Sequence, residues 1–234
     1  MIHFKFYINL MENLRPNKQR AQTAIILICI VMVLDVVSLI SSYFQYHLLQ
    51  SAANGAGLST EAATANDNRE MIIGFIYGVA FLISGITFIQ WFRRAYFNLH
   101  LKVDNLKFGE GWAAGSWFTP VISIYRPYQI MKELYQKTSE LLMNNGAEST
   151  ANFSKTLVGI WWALWIINNY LGQIIFRSSL KADDINELSS TSLMSMSESL
   201  IGIILGFITI KIIKDYSSME QKLYEIEDAE LINF

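Results

Sequence analysis

The chain has 234 residues, of which 52% are hydrophobic and 16% charged, and its formal net charge is -2. A soluble domain is nearer a quarter charged, so this composition points to a lipid-embedded chain. The near-neutral balance excludes a global field that would gather nucleic acid, and a single cysteine, Cys29, excludes an internal disulfide or a cysteine-ligated zinc.

Residues 1–23 read as a cytoplasmic or interfacial arm, in which Phe4, Tyr7, Ile8 and Met11 can turn toward lipid. A hydrocarbon core about 30 Å thick needs about 20 helical residues to cross it. Ala24–Phe44, Met71–Phe92 and Leu157–Phe176 have that length, and Glu198–Ile213 is a shorter fourth run that ends on Lys211 and Lys214. Both lysines can snorkel to the interface. The first run is too long for a signal peptide and contains Asp35, so it reads as an uncleaved anchor.

The expected fold is therefore an all-α membrane protein with four transmembrane helices. It has a first hairpin over 24–92 with a flexible outer loop at 45–70, and a second over 157–213 with a Ser-rich outer loop. Fifteen of the 18 lysines and arginines precede the first run, lie between the second and third, or lie near or after the fourth. That bias places both termini in the cytoplasm. The acidic tail 214–234 carries Met219, Leu223 and Ile226 at helical spacing, which fits an amphipathic helix docked on the chain's own cytoplasmic segment or on a partner.

Between the hairpins, residues 93–156 read as a cytoplasmic or interfacial linker. Its segment Gly111–Met131 is apolar and aromatic, but it is short, and Pro120 and Pro127 interrupt it. It is expected to be an interfacial helix-break-helix or, alternatively, a re-entrant segment lining a cavity. Arg93, Arg94, Trp112, Trp117, Arg126 and Tyr128 are the residues that would meet headgroups and lipid phosphates there.

The run WFRRAYFNL (Trp91–Leu99), followed by GWAAGSWFTPVISIYRPYQIMKELY (Gly111–Tyr135), resembles the DUF4328 family of uncharacterised bacterial membrane proteins. The resemblance is carried by Arg94, Ala95, Asn98, Leu99, Trp117, Phe118, Pro120, Arg126, Pro127, Tyr128 and Gln129. It departs mildly at Ser123-Ile124-Tyr125. It implies a multipass protein of the bacterial cytoplasmic membrane and brings no activity with it.

Asp35, in the middle of the first run, is the costliest residue, because a carboxylate at that depth costs about 2.5–3.5 kcal/mol on insertion scales. Counting from the centres of the runs puts it level with Ser84, Asn168 and Asn169, with Gln173 one turn further. These five form the expected intramembrane polar cluster, in which Asn168 or Asn169 would hydrogen-bond Asp35. Gly74, Gly78 and Gly85 in the second run, and Gly202 and Gly206 in the fourth, are expected to allow close helix packing.

No nucleophile–base set, phosphate loop, metal set or cofactor fingerprint is present in the sequence, which weighs against an enzyme. The expected function is a non-catalytic membrane subunit or scaffold. Its partners would be the lipid bilayer and other membrane proteins or further copies of itself. The competing readings are a small oligomeric transporter or channel built on Asp35, and a lipid-acting enzyme in which Arg126 holds a phosphate.

Overall fold

In a computed structural model, which describes residues 14–146, 155–182 and 184–232, the described elements are all helical. They are α1 (Lys18–Ala53), α2 (Thr60–Lys102), the single turn α3 (Trp112–Gly115), a 3-10 turn (Ile122–Ile124), α4 (Arg126–Asn144), α5 (Lys155–Ser179) and α6 (Ile185–Ile232). The expectations for residues 1–13 fall outside the described residues.

Among the described residues three helices are long and apolar enough to cross a membrane: α1, α2 and α6 as far as Glu225. In their apolar windows only 17%, 11% and 22% of residues are buried, so most of these side chains need an apolar surrounding that the chain itself does not supply. Helix α5 is also apolar, but it carries Asn168, Asn169 and Gln173 among its tryptophans and isoleucines and is not one of the three.

The stretches expected to be flexible outer loops are mostly helix. Helix α1 runs to Ala53, α2 starts at Thr60, and α6 starts at Ile185. Their small polar residues are absorbed by the helices. Ser190, Thr191, Ser192, Ser195 and Ser197 each donate to the carbonyl four residues earlier. Ser41 and Asn66 accept from the Arg69 guanidinium at 2.8 and 2.6 Å.

The proline segment divides at Pro120. Val121 follows it with φ 65°, a left-handed conformation that strains a β-branched residue. Pro127 does not interrupt a helix, contrary to expectation. It lies in the first turn of α4, where its missing N–H costs no bond.

The chain forms two compact units. The first takes the described residues of Met1–Ile25, Gly85–Ile160 and Ile210–Phe234, and the second takes Ile26–Ser84 and Trp161–Thr209. The first unit has a dense core. Trp91, Phe92, Tyr96 and Leu99 of α2, Ile130, Leu134, Tyr135 and Leu142 of α4, and Ile212 and Tyr216 of α6 are almost fully buried. The Trp91 and Tyr135 rings meet the Tyr216 ring edge-on at 6.0 and 5.4 Å. Residues 93–146 form much of this packed body. On α6 the same body buries Met219 and Leu223.

In the second unit, α6 packs closely against α1 at two glycines. A Cβ on Gly202 would lie 2.9 Å from an Asp35 carboxyl oxygen, and one on Gly206 would lie 2.5 Å from Met32 Cγ. A Cβ added at Gly74, Gly78 or Gly85 would meet nothing within 4 Å among the described residues, so these three make no close helix contact within the described chain.

Candidate functional site

The first unit is organised by two buried carboxylates, each with both oxygens engaged. Glu220, on α6, accepts from Asn98 Nδ2 at 2.7 Å and from Asn17 Nδ2 at 3.0 Å. Asn98, on α2, also grips Arg15, accepting from its backbone N–H at 3.0 Å and donating to its carbonyl at 2.9 Å. Tyr224 donates its hydroxyl to the same carbonyl at 2.6 Å. The segment just before α1 is thereby tied to α2 and α6.

Glu133, on α4, accepts from Tyr96 OH at 2.8 Å and from the Lys107 backbone N–H at 2.8 Å. Here α4 fastens the segment that leads into α3. Burial pushes the Tyr135 phenol well above its ordinary value, so it stays protonated and donates to the Ile212 carbonyl at 2.6 Å.

The expected headgroup residues separate into three places. Arg93 and Arg94 line a recess of about 180 Å³ with Arg15, Arg20, Gln90, Phe97 and Glu110. Arg126 is enclosed by rings instead, 4.3 Å from the Phe108 centroid and 5.7 and 5.6 Å from those of Trp112 and Tyr125. Trp112 is partly exposed, and Trp117 turns its ring edge-on to Phe88 and Phe92 at 5.8 and 6.4 Å. Tyr128 lines a separate recess with Lys107, Lys132 and Lys137.

In the second unit the polar cluster is only partly the expected one. Asp35 is 1% exposed, accepts a hydrogen bond from Tyr77 and lies in the electrostatic reach of Glu198. Asn168 donates to Glu198 at 3.4 Å rather than serving Asp35. Asn169 donates to the Trp165 carbonyl of its own helix, Gln173 is exposed, and Ser84 is buried. Tyr77 and Glu198 are the members that hydropathy does not reveal. The one sequence signal for Glu198 is its place one turn before Gly202, which puts both on the face of α6 that meets Asp35.

A family model described as a domain of unknown function, DUF4328, matches residues 54–218. The chain belongs to the DUF4328 family. Its match takes in Asn98, Glu133, Arg126 and the Asp35 partners Tyr77 and Glu198, while Arg15, Asn17 and Glu220 lie outside the matched range. No curated protein and no solved structure matches the chain.

Proposed function

We propose that the chain is a non-catalytic scaffold or subunit of the bacterial cytoplasmic membrane, with four spans and both termini in the cytoplasm. The single observation that supports the non-catalytic reading is the state of its buried carboxylates outside the apolar runs. All four oxygens of Glu133 and Glu220 accept hydrogen bonds from groups that tie one chain segment to another. Carboxylates committed in this way are poor general acids or bases, because acid–base catalysis needs an oxygen within reach of a substrate proton.

Four spans require α5 to cross beside α1, α2 and α6. The lysine and arginine bias supports that even count, and the bacterial host rests on the sequence resemblance alone. Residues 93–156 would lie on the cytoplasmic side, with Trp112 and Trp117 at headgroup depth. The partners would be lipid and other membrane proteins or further copies of this chain.

A second reading, a small transporter or channel, is favoured by one specific observation: Asp35 is buried within the apolar unit against Gly202, one turn along α6 from a second carboxylate, Glu198. Native mass spectrometry after extraction in mild detergent, paired with flux measurements in proteoliposomes, separates the two. A stoichiometric protein complex without flux supports the scaffold. A pH- or ion-dependent flux that Asp35→Asn abolishes overturns it in favour of transport.

A further inference from the structure

Four guanidinium groups converge where the first apolar run begins and the second ends. Arg20 lies four residues before Ala24, and Arg93 and Arg94 directly follow Phe92. With Arg15 they line the open recess of about 180 Å³. Positive charge is in excess there among the described residues: Glu110 is the one carboxylate of these that lines the recess, meeting Arg93 at 3.6 Å through well-exposed side chains, and the buried Glu220 lies within electrostatic reach of Arg94. Arg15 stacks on Phe97 at 4.2 Å, and Arg94 lies 5.8 Å from the same ring.

Like charges held together repel one another. The scaffold maintains this arrangement through hydrogen bonds: Asn98 and Tyr224 fix the Arg15 backbone, and Asn98 is in turn held by the buried Glu220. Cations positioned before any ligand arrives lower the ordering cost of binding an anion. Planar guanidinium forks match the paired oxygens of a phosphate, and the place in sequence, at the boundary of two apolar runs, is where lipid phosphates lie. An adjoining recess of about 240 Å³ shares Arg20 and Gln90 and adds Gln19 and Thr23, neutral polar groups suited to a hydroxylated headgroup.

We propose that Arg15, Arg20, Arg93 and Arg94 form a binding site for a phosphate-bearing anion, supplied either by the headgroup of an anionic lipid or by free phosphate. Only the lipid source rests on the membrane reading above.

The full chain in phosphatidylcholine nanodiscs, with and without phosphatidylglycerol, tests it by native mass spectrometry of retained lipid and by titration with inorganic phosphate. The expected result is retained phosphatidylglycerol, bound phosphate, or both. Phosphatidylglycerol that phosphate does not displace identifies the lipid as source, and phosphate binding without lipid enrichment identifies the free anion. Arg20→Gln and Arg94→Gln should each weaken binding roughly tenfold or more, as expected for losing a hydrogen bond to a charged group. Arg94→Lys, which keeps the charge and loses the fork, should weaken it less at unchanged melting temperature. Lys132→Gln with Lys137→Gln, in the other basic recess, should change nothing. Binding of neither probe overturns the proposal, as does binding lost in the lysine variants and kept in the arginine ones. Release of the chain from membranes by alkaline carbonate defeats the membrane reading instead, and phosphate titration of the released chain then decides the arginine site alone.

Discussion

Asn98 holds Arg15 by both of its backbone polar atoms, while the Asn98 amide also donates to the buried Glu220 carboxylate. One side chain therefore joins the segment before α1, the end of the apolar stretch of α2 and the last part of α6. Asn98→Ala strips a buried carboxylate of one donor and leaves the Arg15 backbone N–H short of a partner, while the Arg15 carbonyl keeps the Tyr224 hydroxyl. A loss of about 3 kcal/mol is expected, read as a lower melting temperature in detergent. Glu220→Gln should be milder. Its new NH2 faces Asn17, whose Oδ1 is buried without a partner among the described residues and can accept once the amide turns. Equal losses in the two variants would show that the cluster is not organised around Asn98.

Gly202 makes the contact between α6 and Asp35 possible. Gly202→Ala would set a methyl 2.9 to 3.1 Å from three carboxyl atoms, and overpacking of that kind costs about 1–3 kcal/mol. Gly78→Ala, on a helix with nothing within 4 Å, should leave stability unchanged or raise it slightly. Asp35→Asn can still accept from Tyr77 and should be tolerated. Asp35→Leu leaves the Tyr77 hydroxyl unsatisfied, at about 1–3 kcal/mol. Thermal unfolding of the four variants side by side checks the order, and a Gly202→Ala variant as stable as Gly78→Ala would sink the close-contact account.

The apolar runs are legible in the sequence because lipid demands one unbroken property over about 20 residues, and no tertiary contact is needed to see it. Asp35 stands out for the same reason. Its partners do not, because matching residues by depth fixes height and not rotation about the helix axis. Asn168 and Asn169 share a level, yet one turns to Glu198 and the other bonds its own helix. The body around α4 is hidden for a different reason. Ile130, Leu134 and Leu142 show helical spacing on α4 alone, but Trp91, Tyr96 and Tyr216, buried in the same unit, sit at the ends of apolar runs, where aromatic residues read equally well as an interfacial belt. The arginine recess is likewise divided, with Arg15 and Arg20 some seventy residues from Arg93 and Arg94 in the chain.

Topology follows from the charge bias and can be read with single cysteines on a Cys29→Ala background. The connections Asn54–Ser59 and 180–184 are expected outside, and Asn105 and Asn145 inside. Gly57→Cys is exposed and between helices, which suits labelling better than the helical positions beyond Thr60. An impermeant maleimide applied to intact cells should modify cysteines at Gly57 and Asp184 and spare those at Asn105 and Asn145. Labelling at Gly57 without labelling at Asp184 would remove α5 from the count of spans.

Arg126 and the tryptophans around it test where the proline-broken segment lies. The guanidinium sits over the Phe108 ring at 4.3 Å, with Trp112 and Tyr125 close by, and its Nε is buried without a hydrogen-bond partner among the described residues. A cation over aromatic faces contributes about 0.5–2 kcal/mol, depending on how far water is excluded. Arg126→Lys keeps the charge but loses the flat face that stacks, so a loss near the lower end of that range is expected. Arg126→Leu removes the cation and should lose more. Brominated lipids locate the same segment by depth. Trp112, partly exposed beside Arg126, should be quenched most by bromines near the headgroups. The other tryptophans are replaced by phenylalanine for this measurement, so that the signal belongs to Trp112 alone. Strongest quenching at the bilayer centre would turn the segment into a re-entrant one, and it would place a ring-enclosed arginine deep in hydrocarbon, where its stacking on Phe108 would have to offset a far larger desolvation cost.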